Sequence, residues 1–298
     1  MKPAKILITG GNGFLGSNLV NKISKKNYIL HLLVREKSDL SRLEINKKIK
    51  LFLLKKKNLE IFFKKNRYDL IIHCATNYGI EEDNSFNTIY PNLLLPLQLL
   101  DLAKKYSIKS FINTDTILNK NTSSYTLSKN QFVDWLKLFS TFLNCYNVKL
   151  EHFYGPKDNN NKFVINNIRR LLRYEDNIEF TKGFQKRDFI YISDVVSALE
   201  KIILFALKKN QIDSKYFNFK TFEVGTGRQI SIKSLVFLIA KLIGNNRTRL
   251  EFGKLPFRKN EIMNVKVDLR NIKKLGWKSK IKLKHGLIKT INYYKKNI

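Results

Sequence analysis

Cysteine is scarce in this chain: Cys74 and Cys145 are the only two. Two thiols exclude a disulfide framework and a cysteine-rich metal site, and their apolar neighbours suit buried thiols in a reducing compartment. No apolar run approaches the roughly 20 residues that a membrane-spanning helix needs, so no stable membrane insertion is expected. A strand pattern begins almost at the first residue, which leaves no room for a signal peptide. A cytoplasmic protein is the expectation. No grouping of His, Cys and carboxylate has metal-ligand spacing, so no metal is expected.

Acid is scarce too. The 24 Asp and Glu face 56 Lys and Arg, a formal charge of +32. Such an excess invites a polyanion partner, because neutralised phosphates give sequence-independent affinity. Arginine, however, supplies only 12 of the 56 cations, and guanidinium is the group that bidentate phosphate and base contacts favour. The lysines are spread along the length as solvated helix faces, so a nucleic acid is not the expected partner. One stretch is locally unusual: Asn271 to Ile298 holds nine Lys and no acid.

What is present is apolar patterning. The 298 residues are 43% hydrophobic, enough for a sizeable core in one large domain or two smaller ones. Up to about residue 154, short apolar runs alternate with helical patterns. Strands are expected at Lys5–Thr9, Tyr28–Val34, Lys50–Leu54, Leu70–Ala75, Ile108–Thr114 and Val148–Phe153. Helices are expected at Phe14–Lys26, Leu59–Lys65, Asn84–Tyr106 and Tyr125–Asn144. Continuous apolar strands alternating with helices indicate an α/β fold, a doubly wound parallel sheet covered on both faces. After the polar loop Gly155–Asn161 that regularity breaks. Helices are expected at Lys162–Tyr174, Ser193–Lys208, Ile232–Ile243 and His285–Tyr294. A smaller second lobe, from 155–183 and 228–298, follows the first domain of 1–154, to which 184–227 returns.

Residues Thr9 to Gly16 read TGGNGFLG, between the first strand and the first helix. Gly10, Gly13 and Gly16 allow a tight turn and let backbone N–H groups approach a pyrophosphate. A helix N-terminus is then aimed at the negative charge. That position makes the loop a dinucleotide site of Rossmann type. The second strand ends in Arg35-Glu36. An acid there suits the ribose 2′-hydroxyl of NAD and an arginine the 2′-phosphate of NADP. With Arg35 first, NADP is favoured over NAD; a surface charge is the alternative reading of Arg35.

Tyr125 and Lys129 form Y-x-x-x-K at the start of a long helix. Positions i and i+4 share a face, and a neighbouring cation lowers a phenol's pKa. Tyr125 is therefore a candidate acid/base. Eleven residues earlier, Thr114 places a hydroxyl at the end of a strand, where doubly wound sheets bind ligands. His73 and His152 also end strands; both read better as structural residues than as catalysts.

These motifs together resemble the extended short-chain dehydrogenase/reductases, of the NAD-dependent epimerase/dehydratase type that modifies nucleotide-linked sugars. HCAT at His73–Thr76, YGP at Tyr154–Pro156, QKRDFIYISDV at Gln185–Val195, VGTG at Val224–Gly227 and LGW at Leu275–Trp277 extend the match along the chain. The resemblance implies a glycine-loop cofactor site that includes Phe14 and Leu15, with Ala75 meeting the cofactor through its backbone. Residues after Tyr154 would close over the nicotinamide. It implies Tyr125 as acid/base, Lys129 on the nicotinamide ribose and Thr114 on the sugar oxygen. Asp115, Arg187 and Arg258 would bind a nucleotide-diphosphate sugar. The alternatives are ion pairs of Arg187 with Asp188 or Asp194, and of Arg258 with Glu261. A homodimer through the helices at Asn84–Tyr106 and Tyr125–Asn144 is also implied.

Three departures bear on the activity. The interval from Thr114 to Tyr125 is shorter than the family's. Lys55–Lys57 stand where an adenine-side Asp is common. Asp115-Thr116 replaces the Asp-Glu pair of the sugar dehydratases. The last argues against a dehydratase and leaves a 4-keto sugar reductase, with a 4-epimerase as alternative. NTDTILNK, YTLSKNQF and LEHFYGPKDNNNKF resemble the cytidine-diphosphate 4-keto-dideoxyhexose reductases. A non-catalytic dinucleotide-binding regulator would need the glycine loop but not Tyr125 and Lys129.

Overall fold

The computed structural model describes residues 2–54, 59–79, 84–211, 217–258 and 261–296; Lys55–Lys57 lie outside them. The chain divides into two compact units. The first comprises Met1–Lys149, Val196–Glu223 and Asn271–Trp277, and the second Leu150–Val195, Val224–Arg270 and Lys278–Ile298. The segment 184–195, expected to return to the first unit, belongs to the second, and the short return at Asn271–Trp277 was not anticipated.

The first unit is built on seven strands: β1 (Ala4–Thr9), β2 (Tyr28–Val34), β3 (Ile49–Leu53), β4 (Leu70–His73), β5 (Ser110–Thr116), β6 (Asn144–Leu150) and β10 (Phe219–Val224). Their order is β10-β6-β5-β4-β1-β2-β3. The strands run parallel, β1 pairing β2 on one side and β4 on the other. Runs such as Ile6-Leu7-Ile8 and Leu70-Ile71-Ile72 are completely buried, as a sheet covered on both faces requires. The order of winding reverses at β1, so the crevice outside the carboxyl ends of β1 and β4 is the ligand position of this Rossmann-type architecture.

Helices α1 (Phe14–Ile23), α2 (Leu59–Lys65), α3 (Ser85–Ile89), α4 (Leu95–Lys105) and α5 (Ser124–Phe139) connect these strands. α3 and α4 are parts of the one helix expected at Asn84–Tyr106, which Asn84 caps and Tyr106 ends. Between them Tyr90–Leu94 is a π-helical stretch carrying Pro91, whose missing N–H cannot join an α-helical ladder. α5 starts on a capping box formed by Ser123 and Thr126 and ends at Phe139 rather than Asn144. Leu143 kept the apolar period going but is core-packed in the turn before β6. β6 accordingly starts four residues before the expected Val148, and Cys145 N–H bonds the Asn218 carbonyl beside β10.

The second unit has its own sheet of β7 (His152–Tyr154), β9 (Lys186–Tyr191) and β11 (Gln229–Ser231), and a parallel pair, β8 (Asn177–Phe180) and β12 (Arg249–Phe252). Helices α6 (Phe163–Leu172), α8 (Ile232–Ile243) and α9 (Leu283–Lys295) enclose its core. α7 (Ile192–Gln211) begins in this unit and continues in the first. The nine lysines beyond Asn271 are all exposed.

Candidate active site

The glycine loop joins β1 to α1 and meets the end of β4. Gly10 has φ +65°, and a Cβ there would stand 2.4 Å from the Ala75 nitrogen. A Cβ on Gly16 would stand 2.0 Å from the Gly10 carbonyl oxygen. Any side chain at either position would collide with backbone. Gly13 caps α1, with no side-chain cap and no acid in the first helical turn. An uncapped helix start with its N–H groups directed outward is suited to a pyrophosphate, so the residues present fit a dinucleotide. Phe14, Leu15 and Gly16 form the first turn of α1, and Ala75 closes the loop from the β4 side. Asn12 ties the loop to the turn after β2 by donating to the Asp39 carbonyl at 3.1 Å. Arg35, in that turn, is exposed and bonds the Ser38 hydroxyl through its backbone N–H at 2.9 Å.

His73 ends β4 with no solvent exposure. Its Nδ1 lies 2.7 Å from the Thr9 hydroxyl and its carbonyl accepts the Thr114 hydroxyl at 3.0 Å. Burial holds its imidazole well below the usual pKa, with the Lys129 charge adding to that effect. A neutral ring fastening β1 to β4 is the result.

The reactive groups gather over the end of β5. Tyr125 is on the first turn of α5, and Lys129 follows one turn later on the same face, itself buried. The Lys129 Nζ donates to the Thr114 carbonyl at 3.0 Å. Burial lowers the ammonium pKa to about 8, while Asp115 and Cys74 pull it back up. Tyr125 does not follow the expected direction. Burial raises its phenol well above 10, Tyr78 and Asp115 push the same way, and only the hydroxyls of Thr116 and Thr76 favour the phenolate. A nearby cation was expected to dominate; desolvation outweighs it, and the Lys129 bond is directed to the Thr114 backbone.

The hydroxyl within hydrogen-bonding reach of Tyr125 on β5 is thus that of Thr116, while Thr114 spends its own inside the sheet. Asp115 is likewise turned inward. Its Oδ2 accepts from Asn147 at 2.9 Å and its Oδ1 from the Thr116 N–H at 2.8 Å, and Asn147 in turn accepts from Asn113 at 2.8 Å. Burial raises the Asp115 pKa against these bonds. Asp115 was expected to face a substrate; its carboxylate is consumed by β6 and its own backbone. Thr76, Tyr78 and Thr116 were not singled out in the sequence. Their signal was only that they follow two strand ends.

In the second unit, Arg187 on β9 is buried and forms an ion pair with Glu261. It also donates to the carbonyls of Lys186 (2.8 Å) and Ile262 (2.5 Å). The pairings considered with Asp188 and Asp194 do not form. Asp188 accepts from Thr226 and the Gly227 N–H, and Asp194 accepts the N–H groups of Lys280 and Ile281. Glu261 therefore pairs with Arg187 rather than with the exposed Arg258. His152 has its Nδ1 3.2 Å from the buried Glu151 carboxylate.

The sequence and the fold both have counterparts among known proteins. The model of the NAD dependent epimerase/dehydratase family matches residues 6–218. The chain belongs to this family. It is similar to the CDP-abequose synthase of Salmonella typhimurium, 30% identical over 95% of each chain. It is also similar to the CDP-abequose synthase of Salmonella muenchen, 32% identical over 97% of each. Its fold is that of the UDP-glucose 4-epimerase of Thermotoga maritima, with TM-score 0.83 and 24% identity over 98% of this chain and 99% of that one. The protein is an enzyme of this NAD-dependent family. Among the described residues, no helix is long and apolar enough to cross a membrane and no group of three or more His, Cys, Asp and Glu could hold a metal.

Proposed function

We propose that the protein reduces the C4 ketone of a deoxyhexose carried on a nucleoside diphosphate, with Tyr125 as proton donor. The observation that carries this reading is the placement of Tyr125, one helical turn before the buried Lys129 on α5 and with its ring 5.0 Å from that of Tyr78. Desolvation raises its pKa, and a protonated phenol there suits delivery of a proton to a forming alkoxide. The likeness to the CDP-abequose synthases over nearly the whole chain supports a cytidine-diphosphate sugar as substrate.

A nicotinamide dinucleotide, when bound, supplies the hydride. The glycine loop and the start of α1 would hold its pyrophosphate, with Ala75 beside it and Arg35 placed for the 2′-phosphate of NADP. Lys129 would bond the nicotinamide ribose while its charge steadies the Tyr125 oxygen after proton transfer. Thr116, in place of Thr114, would orient the sugar oxygen. With Thr116 in that role the following residues are Ile117 and Leu118, neither of which can remove water as an acid or base. Arg187 and Arg258 would bind the substrate's diphosphate. Their common neighbour Glu261, paired with Arg187 and donating its N–H to the Arg258 carbonyl, would have to share Arg187 with it. The buried thiols of Cys74 and Cys145 support a cytoplasmic location, and exposed Trp135, Leu138 and Phe142 on and after α5 support a homodimer.

The test is turnover of a cytidine-diphosphate 4-keto-3,6-dideoxyhexose with NADPH and with NADH. Wild-type protein is expected to oxidise NADPH, and Tyr125→Phe to lose roughly 10²- to 10⁴-fold in rate with cofactor affinity retained. Unchanged turnover in Tyr125→Phe would overturn the assignment. Tightly retained NAD with no net reduction would point instead to the 4-epimerase.

A further inference from the structure

Tyr78 belongs to none of the motifs above, yet the structure fixes the backbone on both sides of it. On the near side stands Asn92, at the centre of the π-helical stretch and without solvent exposure. Its Oδ1 accepts the Thr76 hydroxyl at 2.9 Å and the Asn77 N–H at 3.1 Å, and its Nδ2 donates to the Asn77 carbonyl at 2.8 Å. One amide thus grips both backbone groups of the residue before Tyr78. On the far side, Gly79 adopts φ +64°, and a Cβ there would stand 2.9 Å from the Thr88 hydroxyl and 3.3 Å from that of Ser124. Asn77 spans the turn by accepting the Gly79 N–H at 2.8 Å. Between these anchors the Tyr78 ring lies 5.0 Å from that of Tyr125, tilted by 48°.

A ring fixed this firmly beside a reacting phenol is a wall of the reaction pocket, since its loop is bonded on both flanks. The wall offers an aromatic face, while the polar groups flanking it, on Thr76, Asn77 and Asn92, are already bonded to one another. A sugar carbon bearing hydrogen can pack against such a face. One bearing a hydroxyl would lose water over that face, and the hydroxyls in reach, those of Tyr125 and Thr116, are the ones the reaction itself uses.

We propose that Tyr78 is the specificity-determining platform of the site, packing against deoxygenated carbons of the sugar and selecting a dideoxyhexose over its more hydroxylated analogue. This assignment rests on the reductase reading. Asn92 acts through it as a positioning residue.

The test compares kcat/KM of the full-length protein with NADPH for two probes: a cytidine-diphosphate 4-keto-3,6-dideoxyhexose and the 4-keto-6-deoxyhexose that keeps its C3 hydroxyl. A pocket of this kind discriminates against one added hydroxyl by about tenfold to a hundredfold. Wild-type and Tyr78→Phe proteins are expected to show that preference. Tyr78→Ala and Tyr78→Ser should lose most of it, kcat/KM falling further for the dideoxy probe than for its hydroxylated analogue. Asn92→Ala should weaken the preference in the same sense. Cofactor binding by each variant checks that it is folded. Turnover with undiminished preference in folded Tyr78→Ala or Tyr78→Ser overturns the platform and leaves the reductase reading standing. No turnover of either probe by wild-type protein overturns the reductase reading, and this assignment with it.

Discussion

Two threonines, one turn of strand apart, separate structure from chemistry in this site, and replacing each by isosteric valine distinguishes them. Thr114→Val removes the 3.0 Å bond to the His73 carbonyl in a buried part of the sheet. The loss is about 1 kcal/mol for the bond, rising to about 3 if the carbonyl finds no other donor. Thr116→Val removes an acceptor of the Leu118 N–H at 3.2 Å, a similar or smaller cost, and also the hydroxyl beside Tyr125. Both variants should therefore melt a few degrees below wild type, at about 2–4 °C per kcal/mol for chains somewhat shorter than this one. Their rates should part. Thr114→Val should keep kcat within a few-fold, whereas Thr116→Val should lose roughly 10²-fold, the scale for one oriented hydrogen bond to the reacting oxygen. Calorimetry and steady-state NADPH oxidation read the two quantities on the same samples. A Thr114→Val enzyme that is stable but inactive, beside a fully active Thr116→Val, would refute the reasoning.

Lys129 offers a test with a worked sign. Its depression from 10.5 to about 8 corresponds to about 3 kcal/mol at 1.36 kcal/mol per unit. The folded state prefers the neutral amine, so this penalty is full below pH 8 and is relieved as pH rises from 8 to 10.5. Lys129→Met, which also forfeits the bond to Thr114, should be about 2 kcal/mol more stable than wild type in urea at pH 7 without cofactor, and inactive; a less stable variant would count against it. Gly16→Ala should abolish cofactor binding, measured by quenching of protein fluorescence, because its methyl would overlap the Gly10 carbonyl; retained binding would contradict the described loop. Trp135→Glu with Leu138→Glu should convert a dimer to monomer in analytical ultracentrifugation, and a wild-type monomer would dispose of the proposed interface.

The doubly wound sheet was legible because its strands are buried on both faces and read as unbroken apolar runs. The glycine loop was legible because collision with backbone leaves Gly10 and Gly16 no substitute. The end of β5 was not. Thr114-Asp115-Thr116 looks like the polar start of a loop, and the strand was expected to stop at Thr114. It continues because each polar side chain finds a partner inside the sheet, Thr114 on His73 and Asp115 on Asn147. That two-residue extension moves the strand end from Thr114 to Thr116 and commits the Asp115 carboxylate to Asn147 and the Thr116 N–H. The protonation of Tyr125 was equally out of reach. Spacing reveals a cation on the same helix face, but neither the desolvation of the phenol nor the electrostatic push of Tyr78, which arrives from elsewhere in the sequence.

The short return of the chain at Asn271–Trp277 carries a consequence for biosynthesis. Asn271 donates to the Thr221 carbonyl at 2.9 Å, Ile272 is wholly buried, and the Trp277 indole donates to the Ser197 hydroxyl at 2.8 Å. The nucleotide-binding unit therefore closes with a segment that leaves the ribosome more than a hundred residues after Tyr125 and Lys129 do. A nascent chain stalled before Trp277 carries every catalytic residue named here on a half-sealed sheet, and such a chain is a natural client for a chaperone.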